Sequence, residues 1–281
     1  MRRPRRHVDD VRRYYERNTA WFARFGSDVD VASVHRALWP PDVHRLDDAL
    51  RVSHRLVIDA LPPIVGRAPC VVDLGCGIGG ALSDLHAASS ARLLGLTLSH
   101  AQARRAVRRL PIEVGIVEGS FLAAPFADAC ADLAYSIEAF AHAPDASAYF
   151  AEAARLLRPG ARLLLIDDTL ARAPSTAQER RLFESFVAGW HVPCVMPLDA
   201  LISCAAQHGL AHVHTRDLTG WLRLRVLPAQ LVAWTLHHSR VLWRRDPVAA
   251  ASAGSIALQS LLACGVVRYR SMMFERQDHS P

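Results

Sequence analysis

The 281-residue sequence predicts an α/β fold: a mostly parallel, seven-stranded sheet flanked by helices and topped by helical cap elements. Three observations carry the prediction. First, the β-branched pair Val71-Val72 runs into Asp73-Leu74-Gly75-Cys76-Gly77-Ile78-Gly79-Gly80, and helical spacing of Leu82 and Leu85 follows, the pattern of a strand, a tight turn and a helix start. Second, short apolar runs alternate with helical periodicity from Pro69 onward. Third, the residues before Pro69 are aromatic-rich and helical in spacing, with turn signals that set them apart from the sheet.

Residues 8–25 carry Val8, Val11, Tyr14, Tyr15, Trp21, Phe22 and Phe25 at amphipathic-helix spacing. The segment Val34-His35-Arg36-Ala37-Leu38-Trp39 leaves helical geometry at Pro40-Pro41, and a second helix is predicted over about 45–61, before Pro62-Pro63. Strands are then predicted at Val71-Val72, Leu93 to Leu96, Val114 to Val117, Asp132 to Ser136 and Arg162 to Asp167, with helices over 101–110 and through Tyr149, Ala153 and Leu157. Helices follow over 180–190 and 198–208, a sixth strand over 211–215, two helical patterns within 228–263, and a seventh strand over 265–274. This gives four regions: an N-terminal cap (1–67), an α/β core (68–168), a mixed region of cap helices and sixth strand (169–263), and a final strand with tail (264–281).

Glycines in a strand-to-helix turn allow close approach of a ligand to the backbone. A dinucleotide site would place a carboxylate after the second strand. Here that strand, Ala91 to Ser99, ends without one. The motif Asp73 to Gly80 resembles the nucleotide loop of class I S-adenosylmethionine-dependent methyltransferases. That resemblance implies a Rossmann-like sheet whose seventh strand runs antiparallel beside the sixth, and a glycine loop facing the methionine and ribose of S-adenosylmethionine. It puts Asp73, Gly75, Cys76 and Gly77 at the cofactor.

Leu96-Thr97-Leu98-Ser99 with Gln102 resembles the matching stretch of sterol and related C-methyltransferases, which implies ribose contacts from the Thr97 backbone and the Ser99 or Gln102 side chain, with Leu98 also at the cofactor. A capping Ser99 with a solvent-facing Gln102 is the alternative. Ser120 and Phe121, in Glu118-Gly119-Ser120-Phe121, fall where the family binds adenine, although Ser120 stands where Asp is common. Tyr135 to Pro144, with Glu138 and His142, resembles the sterol C-methyltransferase signature except at Phe140 and Ala141. In all, the resemblance spans about 10–168.

It implies methylation of an alkene in a hydrophobic, isoprenoid-type molecule, followed by proton loss from a carbocation. Glu138 is the candidate base, with His142 orienting it or moving a proton. Glu138 holding the cofactor's amino group, or capping a helix, is the alternative. Tyr14, Tyr15, Trp21, Trp39 and Trp190 are candidate aromatic walls for a cation. Arg223 and Arg225 would meet a prenyl diphosphate, and Mg²⁺ is expected only if the substrate carries one. No resident metal site is expected. An O- or N-methyltransferase of a hydrophobic metabolite, and more distantly a non-enzymatic cofactor-binding module, are the other readings.

Composition narrows the class. With 51% hydrophobic and 21% charged residues, the chain has the makings of a large core. Its net charge of +6 comes largely from seven arginines among the first seventeen residues, and lysine is absent. A solvated helix face accounts for that arginine run more simply than a nucleic-acid surface, and no nucleic-acid module is recognisable. No apolar run suffices for a membrane span, and the arginine-rich start lacks a following apolar signal region, so a cytoplasmic protein is expected, with homo-oligomerisation left open. The six cysteines form no CxxC pair and read as buried thiols.

Overall fold

The computed structural model describes residues 4–25, 33–228, 231–232 and 247–278, and the side chains of all of these except 4–6, 18, 20–25 and 247. Among them seven strands form one sheet in the order β3-β2-β1-β4-β5-β7-β6. The strands are β1 (Cys70–Leu74), β2 (Arg92–Thr97), β3 (Gly115–Glu118), β4 (Ala131–Ile137), β5 (Leu157–Leu170), β6 (Leu210–Asp217) and β7 (Val267–Arg276). Strands β1 to β5 pair in parallel, while β7 is antiparallel to both β5 and β6. All seven predicted strands are present. The largest difference is β5, which extends to Leu170 and carries Asp168 as well as Asp167 inside the sheet.

Alternation along the central strands builds two cores, one on each face. Val71, Leu133, Tyr135, Leu164 and Ile166 belong to one, and Val72, Leu74, Ala134, Leu163 and Leu165 to the other. Helices α3 (Gly80–Ala88), α4 (His100–Arg109) and α5 (Ala146–Leu156) connect the parallel strands. Ser99 caps α4 by accepting from the Gln102 amide, and Asp145 caps α5 by accepting from Ser147. Outside the alternation lie α1 (Pro4–Phe25), α2 (Leu46–Asp59), α6 (Ala177–Trp190), α7 (Leu198–Ala206) and α8 (Pro247–Ala263). Of the two helical patterns predicted within 228–263, the second is α8; most of the first lies outside the described residues.

The strand order reverses between β1 and β4, so their carboxyl ends flank a crevice, where open α/β sheets bind ligands. The glycine turn after β1 and residues 138–143 after β4 meet there. A Cβ on Gly75 would lie 2.4 Å from the Ala139 Cβ, so only glycine fits. Gly75 and Gly77 also take φ of 142° and 55°, conformations that side chains disfavour.

Candidate active site

A cavity of about 410 Å³ opens at this crevice, within the usual size of small-molecule sites. Its floor is the glycine turn, with Asp73, Gly75, Cys76 and Gly77; Thr97, Leu98, Gln102 and Phe121 line one side. Tyr14 and Tyr15 of α1, Ser33 to His35, and Trp190 of α6 with Ser252 and Ser255 of α8 close over it.

Asp73 is buried at the end of β1, and burial pushes its carboxyl up to about 7, with the Tyr135 hydroxyl acting in the opposite sense. The Cys76 thiol is pushed well above its usual range by burial, as a packed thiol should be. Thr97 donates to the Gln102 amide oxygen at 2.7 Å, which leaves the Gln102 amide hydrogens as donors at a cavity wall. Gln102 is therefore buried rather than solvent-facing, while Ser99 does cap α4. Phe121 is seated edge-on against Tyr149, with centroids 5.2 Å apart. Ser120 lies outside the cavity wall; its hydroxyl accepts from the Leu122 amide in a local turn.

Glu138 follows β4 with φ of 52°, a strained value for a side-chain-bearing residue, costing on the order of 1 kcal/mol. Its amide continues the sheet by donating to Ile166 at 2.8 Å, and the turn places its side chain in the cavity wall. One oxygen, Oε1, accepts three hydrogen bonds: the Arg36 amide at 3.0 Å, Arg36 Nε at 2.9 Å and the Tyr269 hydroxyl at 2.8 Å. Arg36 in turn forks onto Asp168, with Nη1 to Oδ1 at 3.0 Å and Nη2 to Oδ2 at 2.9 Å, and its guanidinium lies 4.0 Å from the Tyr269 ring centre. Burial alone would raise Glu138, but the Arg36 charge and hydrogen bonds outweigh it and hold the carboxyl below its usual range. Burial pushes Asp168 upward against the guanidinium, yet both its oxygens are engaged as acceptors, as in a carboxylate. Buried Asp168 and half-buried Glu138 thus share one half-buried cation, a net charge of −1 beside the cavity.

His142 is buried, and burial pushes it down to about 4, so it is neutral near pH 7. Its Nδ1 lies 3.1 Å from the His191 carbonyl oxygen, which can only accept, so Nδ1 carries the hydrogen. Nε2 is then an acceptor for the Tyr15 hydroxyl at 2.8 Å. His142 is paired with Tyr15 rather than with Glu138.

The other predicted contacts divide. Tyr14, Tyr15 and Trp190 line the cavity, Trp190 donating Nε1 to Ala251 at 3.1 Å and Ser255 at 3.2 Å. Trp39 is outside the described lining; Arg223 stacks on it with its guanidinium carbon 3.5 Å from the ring centre. Arg225 is likewise outside, its amide bonded to Gln259. The side chain of Trp21 lies outside the described residues. Among the described residues no three His, Cys, Asp or Glu side chains converge as metal ligands.

Sequence reasoning missed Arg36, Asp168 and Tyr269. The available signal was Asp167-Asp168 at the carboxyl end of a buried strand, where two adjacent carboxylates demand donors. Asp167 finds them in the backbone, accepting from Ala141 at 2.9 Å and Asp168 at 2.8 Å, and burial pushes it up to about 7.

Sheet order, glycine turn and cavity are those of the class I S-adenosylmethionine-dependent methyltransferase fold, and the family model for the methyltransferase domain matches residues 72–165. Among curated relatives, 24-methylenesterol C-methyltransferase 2 of Oryza sativa subsp. japonica is 29% identical over 250 residues, covering 85% of this chain and 64% of that protein. A probable chloroplastic tocopherol O-methyltransferase of the same plant is 36% identical over 129 residues, 44% of this chain and 36% of that one. The chain therefore spans less than two thirds of the length of these relatives. Geranyl diphosphate C-methyltransferase from Streptomyces coelicolor A3(2), solved with Mg²⁺, geranyl diphosphate and S-adenosyl-L-homocysteine, superposes with a TM-score of 0.70 at 20% identity, covering 96% of this chain and 97% of that one. That likeness is one of fold. The described residues include no helix long and apolar enough to cross a membrane.

Proposed function

We propose that the chain is an S-adenosylmethionine-dependent C-methyltransferase acting on an alkene of a hydrophobic, isoprenoid-type molecule. The observation that carries this reading is Glu138, a half-buried carboxylate held ionised beside an otherwise largely apolar cavity at the glycine turn. The C-methyltransferase name of the sterol relative supports it.

The glycine turn, Thr97, Gln102 and Phe121 fit S-adenosylmethionine: close backbone approach for the amino-acid and ribose parts, amide donors for a hydroxyl, and an aromatic wall for a base. When bound, S-adenosylmethionine supplies an electrophilic methyl on a sulfonium. With it bound, the acceptor's alkene electron pair would form the new carbon–carbon bond as the methyl–sulfur bond breaks and its electron pair leaves on the thioether, and the second alkene carbon would become cationic. The net negative Glu138–Arg36–Asp168 cluster and the Tyr14 and Trp190 faces stabilise that charge. A carbocation is so strong an acid that the depressed basicity of Glu138 is no obstacle. Oε2, with Oε1 already engaged by three donors, receives the proton as the alkene re-forms.

A second reading rests on the Tyr15–His142 pair. A neutral imidazole with Nε2 as acceptor can take a proton, through Tyr15, from an acceptor hydroxyl or ammonium, as an O- or N-methyltransferase requires. Incubation with methyl-labelled cofactor and a panel of prenyl diphosphates with and without Mg²⁺, free prenols, sterols and phenols separates the two. A new carbon–carbon bond is expected; labelled methoxy or N-methyl product from the sole active acceptor overturns the first reading in favour of the second.

A further inference from the structure

Ser33, Val34 and His35 form the part of the cavity wall that faces the glycine turn: a Cβ on Gly77 would lie 3.5 Å from Val34 Cγ2. Directly behind this wall sits His54 of α2, fully buried. Its Nδ1 lies 2.7 Å from Asp84 Oδ2 on α3, and its Nε2 lies 2.8 Å from His35 Nε2 and 3.0 Å from Ser33 Oγ. His35 Nδ1 faces the Arg36 carbonyl oxygen at 3.2 Å. Arg51 pairs with the other oxygen of Asp84.

Hydrogen counting decides the charge. A carbonyl and a carboxylate oxygen only accept, so Nδ1 of both rings carries a hydrogen. If both rings were neutral, the Ser33 hydroxyl could donate to His54 Nε2, but two Nε2 lone pairs would still face each other at 2.8 Å with no hydrogen between them. One further proton between them removes the conflict, and the carboxylate of Asp84 places it on His54. His35 accepts it and stays neutral, pushed down to about 4 by burial and the positive His54. Asp84 is held below its usual range by His54 and Arg51, against its own desolvation. Arg51, Asp84 and His54 together carry a net charge of +1, while Arg36, Glu138 and Asp168 carry −1.

We propose that Asp84, His54 and His35 hold a buried imidazolium behind the cavity wall, and that this fixed charge anchors the carboxylate of the cofactor's amino-acid portion. The inference rests on the S-adenosylmethionine reading above. It gives the cavity two electrostatic poles: a positive one at residues 33–35, facing the glycine turn, and a negative one at Glu138 for the sulfonium and the cationic acceptor. Among the described residues, the helix bearing His54 also carries Asp47, Asp48, Arg55 and Asp59, Asp84 and Arg51 lie at the His54 Nδ1 side, and Arg36 and Glu138 lie beyond His35.

The test compares S-adenosylmethionine, its decarboxylated analogue and 5′-methylthioadenosine by calorimetry on the full chain. Wild type is expected to prefer the carboxylate-bearing ligand by roughly tenfold or more, the size of one partly screened charge contact. In His54→Gln and His54→Asn the preference should collapse toward unity, while 5′-methylthioadenosine affinity stays within about twofold. Should neither variant fold, ¹⁵N spectra of the wild-type imidazoles decide: both ring nitrogens of His54 should carry a hydrogen under the binding conditions. Unchanged preference in the folded variants, or a neutral His54 under binding conditions, overturns the inference. Failure of wild type to bind any of the three ligands overturns the methyltransferase reading itself.

Discussion

Glu138→Gln separates the roles a carboxylate can play in this cavity. The substitution keeps the side-chain shape and an acceptor oxygen for Arg36 and Tyr269, and Arg36 retains its fork on Asp168. Folding should suffer modestly, by about 1–2 kcal/mol for weakening charge-assisted hydrogen bonds. The cluster changes from −1 to neutral. At about 4 Å and an effective dielectric near 20, one charge acts on a developing cation with about 4 kcal/mol. At about 1.4 kcal/mol per decade, that corresponds to about 10³ in rate, with loss of the proton acceptor adding to it. Single-turnover methyl transfer should therefore fall by roughly 10³ or more while cofactor affinity measured on the same folded protein changes little. Products of cation hydration or rearrangement should increase, since the ordinary exit by proton loss is gone. Wild-type rate and product distribution in Glu138→Gln would refute the reasoning. A large loss of cofactor affinity at intact fold would refute it differently, by making Glu138 a ligand for the cofactor's amino group.

Gly77→Val should abolish measurable S-adenosylmethionine binding, because φ of 55° excludes a β-branched residue and the space beside its Cβ is taken by Val34; wild-type affinity by calorimetry in a folded variant would contradict this. Arg36→Met leaves Glu138 and Asp168 buried without their cation, a loss of about 3–5 kcal/mol read as a lower denaturation midpoint. In Arg36→Lys, which keeps the charge without the fork, Glu138 is held down less, so the acid limb of the rate profile should move to higher pH. Tyr15→Phe should alter turnover by less than about tenfold if carbon is methylated and by about 10² or more if His142 and Tyr15 deprotonate an oxygen or nitrogen nucleophile; labelled-product kinetics tell them apart. Asp73 and Asp167 have folded pKa values raised from the ordinary 3.8 to about 7, so the folded state holds more protons than the unfolded one in that interval. Their contribution to stability is complete below about 3.8 and is lost as pH rises through about 7, so Asp73→Asn should flatten the fall in melting temperature over that window.

The parts of this molecule legible in sequence are those governed by local rules. Short apolar runs bounded by turn residues placed the seven strands, the central β1, β4 and β5 being buried on both faces. The glycine turn could be read because only glycine tolerates φ of 142° against Ala139. Glu138 and His142 were legible as residues following β4 at the open edge of the sheet. Their partners were not. Arg36 lies 102 positions from Glu138 and 132 from Asp168, and Tyr269 lies 131 from Glu138. No periodicity links such residues; they meet because β5 and β7 are paired and Arg36, from the segment before α2, reaches both carboxylates. The same limit explains Arg223 and Arg225, which form a basic cluster in sequence but sit against Trp39 and Gln259 once folded.

The missing partners change the chemistry more than the missing geometry does. A lone buried Glu138 would be expected to ride upward with desolvation, like Asp73 and Asp167 on the same sheet edge, and so to be protonated over much of the neutral range. Arg36 reverses that direction, and Asp168 keeps the guanidinium from cancelling the negative charge altogether. The result is a carboxylate that stays ionised in an apolar wall, poorly basic toward ordinary acids yet still an acceptor for a carbocation's proton. Such a group is ill suited to deprotonate a neutral alcohol. That asymmetry separates the function of Glu138 from that of His142, whose neutral ring and fixed Nδ1 hydrogen present the opposite capability. In the proposed reaction, one cavity would thus offer two proton acceptors of different strength, and the identity of the methylated atom would depend on which of them the acceptor reaches.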